Sequence, residues 1–164
     1  MKRFGKMMMT AALFVAAGCS ASLGDDLTKW VDLKIGTGGH GHVFVGANVP
    51  FGMVQLGPTS IPQEWDWCSG YHESDSTIIG FSHTHLSGTG IGDLFDITVM
   101  PVVGDVVYAR GTEDAQESGL WSYGDRRREV AVPGYYSIPL ERYGVLAELT
   151  ATSRVGMHRY TFPA

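Results

Sequence analysis

Toward its C-terminal end the chain settles into a period of two. Val155, Met157, Arg159 and Thr161 alternate with Gly156, His158, Tyr160 and Phe162, the pattern of a strand with one face buried. Runs rich in β-branched and aromatic residues predict further strands at 31–35, 43–45, 53–56, 77–81, 95–103, 106–109, 135–140 and 145–152, with the last at 154–162. Ser153 alone separates the final two, so either that turn is tight or the boundary lies elsewhere. No stretch carries a convincing helical period. The 22 glycines recur every few residues and disfavour helices longer than two turns. Many short strands joined by Gly and Pro turns predict an all-β, antiparallel β-sandwich. Residues 111–129 break the pattern. They are polar, hold Glu113, Asp114, Glu117, Asp125 and Glu129, and read as an exposed loop or insertion, with Arg126-Arg127-Arg128 as a solvated turn. The chain stops directly out of a strand pattern at Pro163-Ala164, which predicts an incomplete piece of a larger protein.

The N-terminus follows a different logic. Lys2, Arg3 and Lys6 precede the apolar segment from Met7 to Ala17, which is too short for a stable membrane span. The segment ends in Ala16-Ala17-Gly18-Cys19-Ser20. Small residues before a cysteine resemble a bacterial lipoprotein signal, with residues 1–18 removed and Cys19 acylated. The alternative is an ordinary signal peptide cut nearby. Residues 19–29 are small and polar and suit a tether, leaving 30–164 as the folded domain. Losing three basic residues with the signal takes the net charge from −5 to −8. Such an acidic product argues against a nucleic-acid partner, since phosphate binding requires clustered Lys and Arg.

The chemistry concentrates between Gly36 and Asp96. Two glycine-rich segments, Gly36-Thr37-Gly38-Gly39-His40-Gly41-His42 and His83-Thr84-His85-Leu86-Ser87-Gly88-Thr89-Gly90, flank Glu64-Trp65-Asp66-Trp67-Cys68-Ser69-Gly70-Tyr71-His72. Glycine lets a backbone approach a ligand closely, and tryptophan offers a flat apolar face with one polar handle. The mixture suits a polar ligand with apolar faces, such as a sugar. Trp65, Trp67 and Tyr71 could instead be plain core, but Glu64, Asp66, Ser69 and His72 would each then need a buried partner. Gly36-x-Gly38-x-x-Gly41 matches a dinucleotide fingerprint by letters only, because no helix starts after it to receive a pyrophosphate. His40-x-His42 and His83-x-His85 have the spacing that places two side chains on one face of a strand. Four imidazoles could hold a metal, or they could hydrogen-bond in a polar cleft, and no metal site is assigned here. Cys68, among bulky and anionic neighbours, reads as a packed or ligand-touching thiol rather than a nucleophile. Asp66, Glu73, Asp75, Asp93 and Asp96 offer no identifiable catalytic pair, and Asp93 and Asp96 read as loop caps around Gly92.

The blocks from Ile35 to His42, Val49 to Leu56, Trp65 to His72 and Gly80 to Gly90 resemble, in order, the N-terminal domain of the family 92 glycoside hydrolases, bacterial exo-acting α-mannosidases. The resemblance covers residues 30–164. It implies a β-sandwich packed on a larger C-terminal (α/α)6 toroid and a calcium-dependent reaction that inverts the anomeric centre. Such chemistry uses an acid and a base roughly 6.5–9.5 Å apart. The resemblance places both, with most ligands of the Ca2+, in the C-terminal domain, so no catalytic residue is expected in this stretch. It implies that Gly39, His40, Trp65, Trp67, Cys68 and His85 line or border the terminal-mannose site. The expected partners are mannose-containing glycans, the C-terminal domain of the same polypeptide and a lipid anchor. That anchor would hold the exported protein at a bacterial membrane, the periplasmic or surface face of an outer membrane. Two other readings remain open at this point: a non-catalytic carbohydrate-binding lipoprotein of the same fold, and a metal-binding β-protein.

Overall fold

A computed structural model describes residues 26–92 and 94–164. The expected signal segment 1–18, the expected lipidation site Cys19, the expected tether as far as residue 25, and Asp93 lie outside the described residues. Ten strands and three short 3-10 turns make up the described fold, with no α-helix among them. In order these are η1 (Leu27–Trp30), β1 (Gly57–Thr59), η2 (Trp65–Trp67), β2 (Thr77–Ile78), β3 (Gly80–Ser82), β4 (Arg110–Thr112), β5 (Ala115–Gly119), β6 (Ser122–Tyr123), η3 (Arg126–Arg128), β7 (Val130–Val132), β8 (Tyr135–Leu140), β9 (Val145–Ala151) and β10 (Gly156–Thr161). Every pairing is antiparallel. A four-stranded sheet runs β10-β9-β8-β7, and β1-β3, β2-β6 and β4-β5 form two-stranded ribbons.

The core lies between this sheet and the segments that cover it. Alternate residues of β9, Val145, Ala147, Leu149 and Ala151, face inward with Tyr136, Ile138 and Leu140 of β8. Val45, Ala47, Leu56, Tyr71, Ile78 and Phe81 close the cluster from the other side. On β10 the half-buried set is Gly156, His158 and Tyr160, which settles which face of that alternation turns inward. Phe81 approaches Tyr160 with ring centroids 6.2 Å apart. On the outer face Arg159 sits directly opposite Glu148 in the register and pairs with it.

The period-two segments form strands close to where the sequence places them. The final turn is longer than one residue: it spans 152–155, with the Thr152 hydroxyl accepting from the Val155 N–H at 3.1 Å. The predicted strands at 31–35, 43–45, 53–56, 95–103 and 106–109 do not form, and β1 begins only at Gly57. Their apolar residues pair only through single bridges, Leu56 with Ala47 and Val99 with Phe81, and strand propensity depends on such neighbours. Leu94, Phe95 and Ile97 even take positive φ. The 77–81 strand is broken at Ile79 into β2 and β3, and Gly80, the first residue of β3, has φ of 151°.

Residues 111–129 correct the reading of an exposed loop. They contribute most of β4 with β5, β6 and η3, and they carry a buried ion cluster. The Glu129 side chain is fully buried and meets Lys34 Nζ at 2.7 Å and Arg126 Nη1 at 2.6 Å. It also accepts the Tyr136 hydroxyl at 2.7 Å and, more loosely, that of Tyr71. Arg126 lies over the Tyr71 ring at 4.4 Å and donates to the Asp75 carbonyl. Of the three arginines only Arg127 and Arg128 are solvated. Burial alone would raise the Glu129 carboxyl, but Arg126, Lys34 and the Tyr136 hydroxyl outweigh it and hold the group below its usual range.

Candidate functional site

Trp65, Asp66 and Trp67 stand on the single turn η2, closed by the Cys68 N–H donating to the Trp65 carbonyl at 3.1 Å. A turn so short cannot hold its side chains by its own hydrogen bonds, and each is fixed from elsewhere. Trp67 Nε1 donates to Asp75 Oδ2 at 2.7 Å, and its ring stacks on His72 with centroids 4.4 Å apart. Asp75 is buried and also accepts from Thr77 N at 2.7 Å, Thr77 Oγ1 at 3.0 Å and Gln63 Nε2 at 3.0 Å. It is a positioning residue for Trp67. Its neighbours in sequence gave no sign of this role. Trp65 is 59% exposed, and its Nε1 donates to the Gly90 carbonyl at 2.5 Å. Cys68 is buried yet borders a cleft of about 400 Å³. The cleft lies between the two tryptophans, Gln63, Ile91 and Phe95.

Beside Trp65 runs the loop 36–42, whose His40 and His42 rings pack against that indole. Gly36 and Gly39 have φ of 83° and 53°, open to glycine at little cost. A Cβ on Gly41 would collide with the Gly36 carbonyl, so the loop closes only with glycine there. His42 takes φ 54° without being glycine, an uncommon region for most residues but one that histidine enters more readily than most. His40 and His42 therefore sit on a loop and not on one face of a strand. His40 Nδ1 donates to Asp66 Oδ1 at 2.6 Å, and His42 Nε2 donates to the same oxygen at 3.1 Å. His40 is the exposed partner and His42 is buried. The hydrogen bond from His40, followed by that from His42 and their charges, draws the Asp66 carboxyl below its usual range despite burial.

The six residues expected at the sugar site divide into three groups. Trp65, Trp67 and Cys68 border the cleft. Gly39 and His40 lie on the neighbouring loop, both exposed. His85 sits in the interior. Its Nδ1 donates to the Gln55 carbonyl at 2.7 Å, its Nε2 faces Thr59 Oγ1 at 3.3 Å, and its ring stacks on Phe44 with centroids 4.9 Å apart. Burial pulls its pKa down to about 4 against the raising effect of its backbone partners. His83 is paired elsewhere, 3.1 Å from His158 Nε2, so the four imidazoles do not converge. Asp96 exchanges hydrogen bonds with Thr84, as a loop cap would.

Comparisons with known proteins bear on this arrangement. The family profile described as the glycosyl hydrolase family 92 N-terminal domain matches residues 30–164. The family GH92 alpha-mannosidase BT3965 from Bacteroides thetaiotaomicron, solved in complex with mannoimidazole, superposes with a TM-score of 0.81 at 42% identity. That match covers 85% of this chain and 18% of the other. The GH92 family glycosyl hydrolase ccman5 superposes at 0.71 with 30% identity, over 85% of this chain and 19% of the other. An uncharacterized secreted glycosidase of Arthroderma benhamiae is 28% identical over 158 residues, which is 95% of this chain and 20% of that protein. The chain thus spans about a fifth of the length of the relatives it matches. Fold and extent of the match agree, and the chain belongs to glycoside hydrolase family 92, whose N-terminal domain it represents.

Proposed function

We propose that residues 30–164 form one wall of the terminal-sugar pocket in an exo-acting, inverting α-mannosidase that works on mannose-containing glycans. The observation that carries this reading is the cleft with two tryptophan faces pinned at its edge. A pyranose presents an apolar C–H face that an indole covers well, the ring supplying area at low entropic cost. Cys68 and the small backbone near Gly90 bring the floor of the cleft close. The resemblance to alpha-mannosidases supports the substrate class, and the secreted relative supports export. A second domain of the same polypeptide would bring the acid and the base.

Calcium is the metal the family reading implies, and the residues here do not suit it. Ca2+ takes six to eight oxygen ligands. The metal-competent cluster among the described residues is His40, His42 and Asp66, two nitrogens and one carboxylate. No step is assigned to calcium in this part of the protein. What this chain contributes is binding: Trp67 held by Asp75 and His72, Trp65 held by Gly90, and Cys68 at the border of the cleft.

The full-length protein is expected to release mannose from an aryl α-mannoside and from mannobioses, while residues 30–164 alone release none. A Trp67→Ala substitution in the full-length enzyme removes a stacking face of about 1–3 kcal/mol, borrowing the scale of aromatic stacking on a base. That corresponds to a fall in kcat/KM of roughly five- to 150-fold. If instead Tm drops steeply while kcat/KM of the folded variant stays normal, Trp67 is core and the pocket lies elsewhere. Full-length protein that binds mannosides without turnover would favour the non-catalytic carbohydrate-binding alternative. The anchor is a separate part of the proposal: residues 1–18 are removed and Cys19 is acylated, with two or more chains for durable attachment. Mass spectrometry of the mature N-terminus reads this directly, and a soluble chain beginning elsewhere than Cys19 refutes it.

A further inference from the structure

We propose that His40, His42 and Asp66 form a binding site for a divalent transition metal of the zinc class, at the rim of the cleft and separate from any calcium site. The three ligand atoms all lie within 4.8 Å of one another. Both imidazoles aim at one oxygen, Asp66 Oδ1, at 2.6 and 3.1 Å. Two ligands on one ion at 2.0–2.2 Å cannot stand more than about 4.4 Å apart, so a small inward shift would complete the set. Two imidazoles and a carboxylate suit Zn2+, Ni2+ or Cu2+ and do not suit Ca2+.

Three independent features show that the cluster is built rather than accidental. His42 holds φ 54°, left-handed backbone that is uncommon outside glycine and that aims its ring at Asp66. Gly41 between the two histidines admits no side chain, because the Gly36 carbonyl occupies the space. Trp65 packs edge-on against His42 with centroids 4.2 Å apart and tilts over His40 at 5.8 Å, fixing both rings from one side. The histidines come from one loop and Asp66 from η2, so an ion would tie the loop to the turn that carries Trp65. His40 remains largely open to solvent, which leaves a further coordination position for water. Without metal, the same atoms satisfy one another as hydrogen bonds, with the imidazole protons occupying the place of the ion.

The test uses full-length protein stripped with chelator and then kept in excess calcium, so that oxygen-rich sites are filled. Zinc chloride is titrated calorimetrically, bound metal is counted by elemental analysis, and cobalt(II) is added for its visible spectrum. One ion per chain is expected, with a raised Tm and a cobalt spectrum typical of low coordination number. His40→Ala, at an exposed position, and Asp66→Asn should each weaken binding by at least the roughly 10–100-fold that loss of even an outer-shell partner costs. His42→Asn removes the imidazole while keeping a residue that tolerates positive φ, and it should do the same. Absence of zinc binding, or zinc binding that survives these variants and disappears with His158→Ala, overturns the proposal. The outcome does not depend on mannosidase activity, so its failure and that of the functional reading are distinguishable.

Discussion

Replacing Glu129 with alanine is expected to destabilise the protein by about 3–5 kcal/mol, the range for removing one partner of a buried ion pair. The cost comes less from the lost attraction than from what is left behind. Arg126 would keep its charge beneath the Tyr71 ring, and the Tyr136 hydroxyl, on a fully buried residue, would lose its acceptor. Lys34 alone could turn outward, being partly exposed. Urea unfolding of the wild type and the variant measures the difference. A loss under about 1 kcal/mol would mean that the cluster behaves as an exposed pair and that the buried arrangement described here is wrong.

The second large effect is on pH. His85 has a folded pKa of about 4 against 6.5 for the free group. Between those values the unfolded chain binds a proton that the folded chain refuses, so stability falls as pH falls. The contribution is intact above pH 6.5. It declines by about 2 kcal/mol at pH 5 and about 3 kcal/mol at pH 4, at 1.36 kcal/mol per unit. His158, lowered to about 4 by burial and then by the charge of His83, works in the same direction but closer to solvent. Glu129, depressed from an ordinary value of 4.5, adds its loss only at lower pH. Unfolding measured at pH 7.5 and pH 5 should therefore differ before carboxylates titrate, and His85→Asn should flatten that slope. Equal stability at the two pH values would place His85 in contact with water.

The parts of the fold that sequence made legible are those where the period of two runs unbroken over six or seven residues, β8, β9 and β10. In β9 the alternation also gives the inward face, whereas in β10 it leaves the face open, and Gly156, His158 and Tyr160 turn inward while Met157 stays exposed. The missed hairpin was also written in the chain: Val130-Ala131-Val132, then Pro133-Gly134, then Tyr135, with Gly134 at φ 79°. Proline followed by glycine between two such runs is a turn signal with a mechanism. It was obscured by the polar stretch before it. Conversely, the segments 31–35 and 95–103 are apolar enough to read as strands, but pairing partners are a property of the whole chain. At the site, composition pointed to the tryptophans and to Cys68. It could not reveal that Asp66 joins two histidines 24 and 26 residues away, or that Asp75 holds Trp67. A carboxylate's partner is chosen by topology, and Glu129 was hidden among loop acids for the same reason.

The anchoring of the two tryptophans restricts how this wall can recognise anything. An indole has one polar atom. In Trp65 it is committed to Gly90 and in Trp67 to Asp75. Neither ring has a donor left to sense whether a hydroxyl is axial or equatorial. What the two faces can report is the shape of the ring face laid against them, through its C–H groups. On the proposed reading, recognition of individual hydroxyls by hydrogen bonds then falls to other groups, across the cleft or on the backbone, and swapping these tryptophans for other aromatics would alter how tightly a sugar is held without removing a hydrogen bond to it.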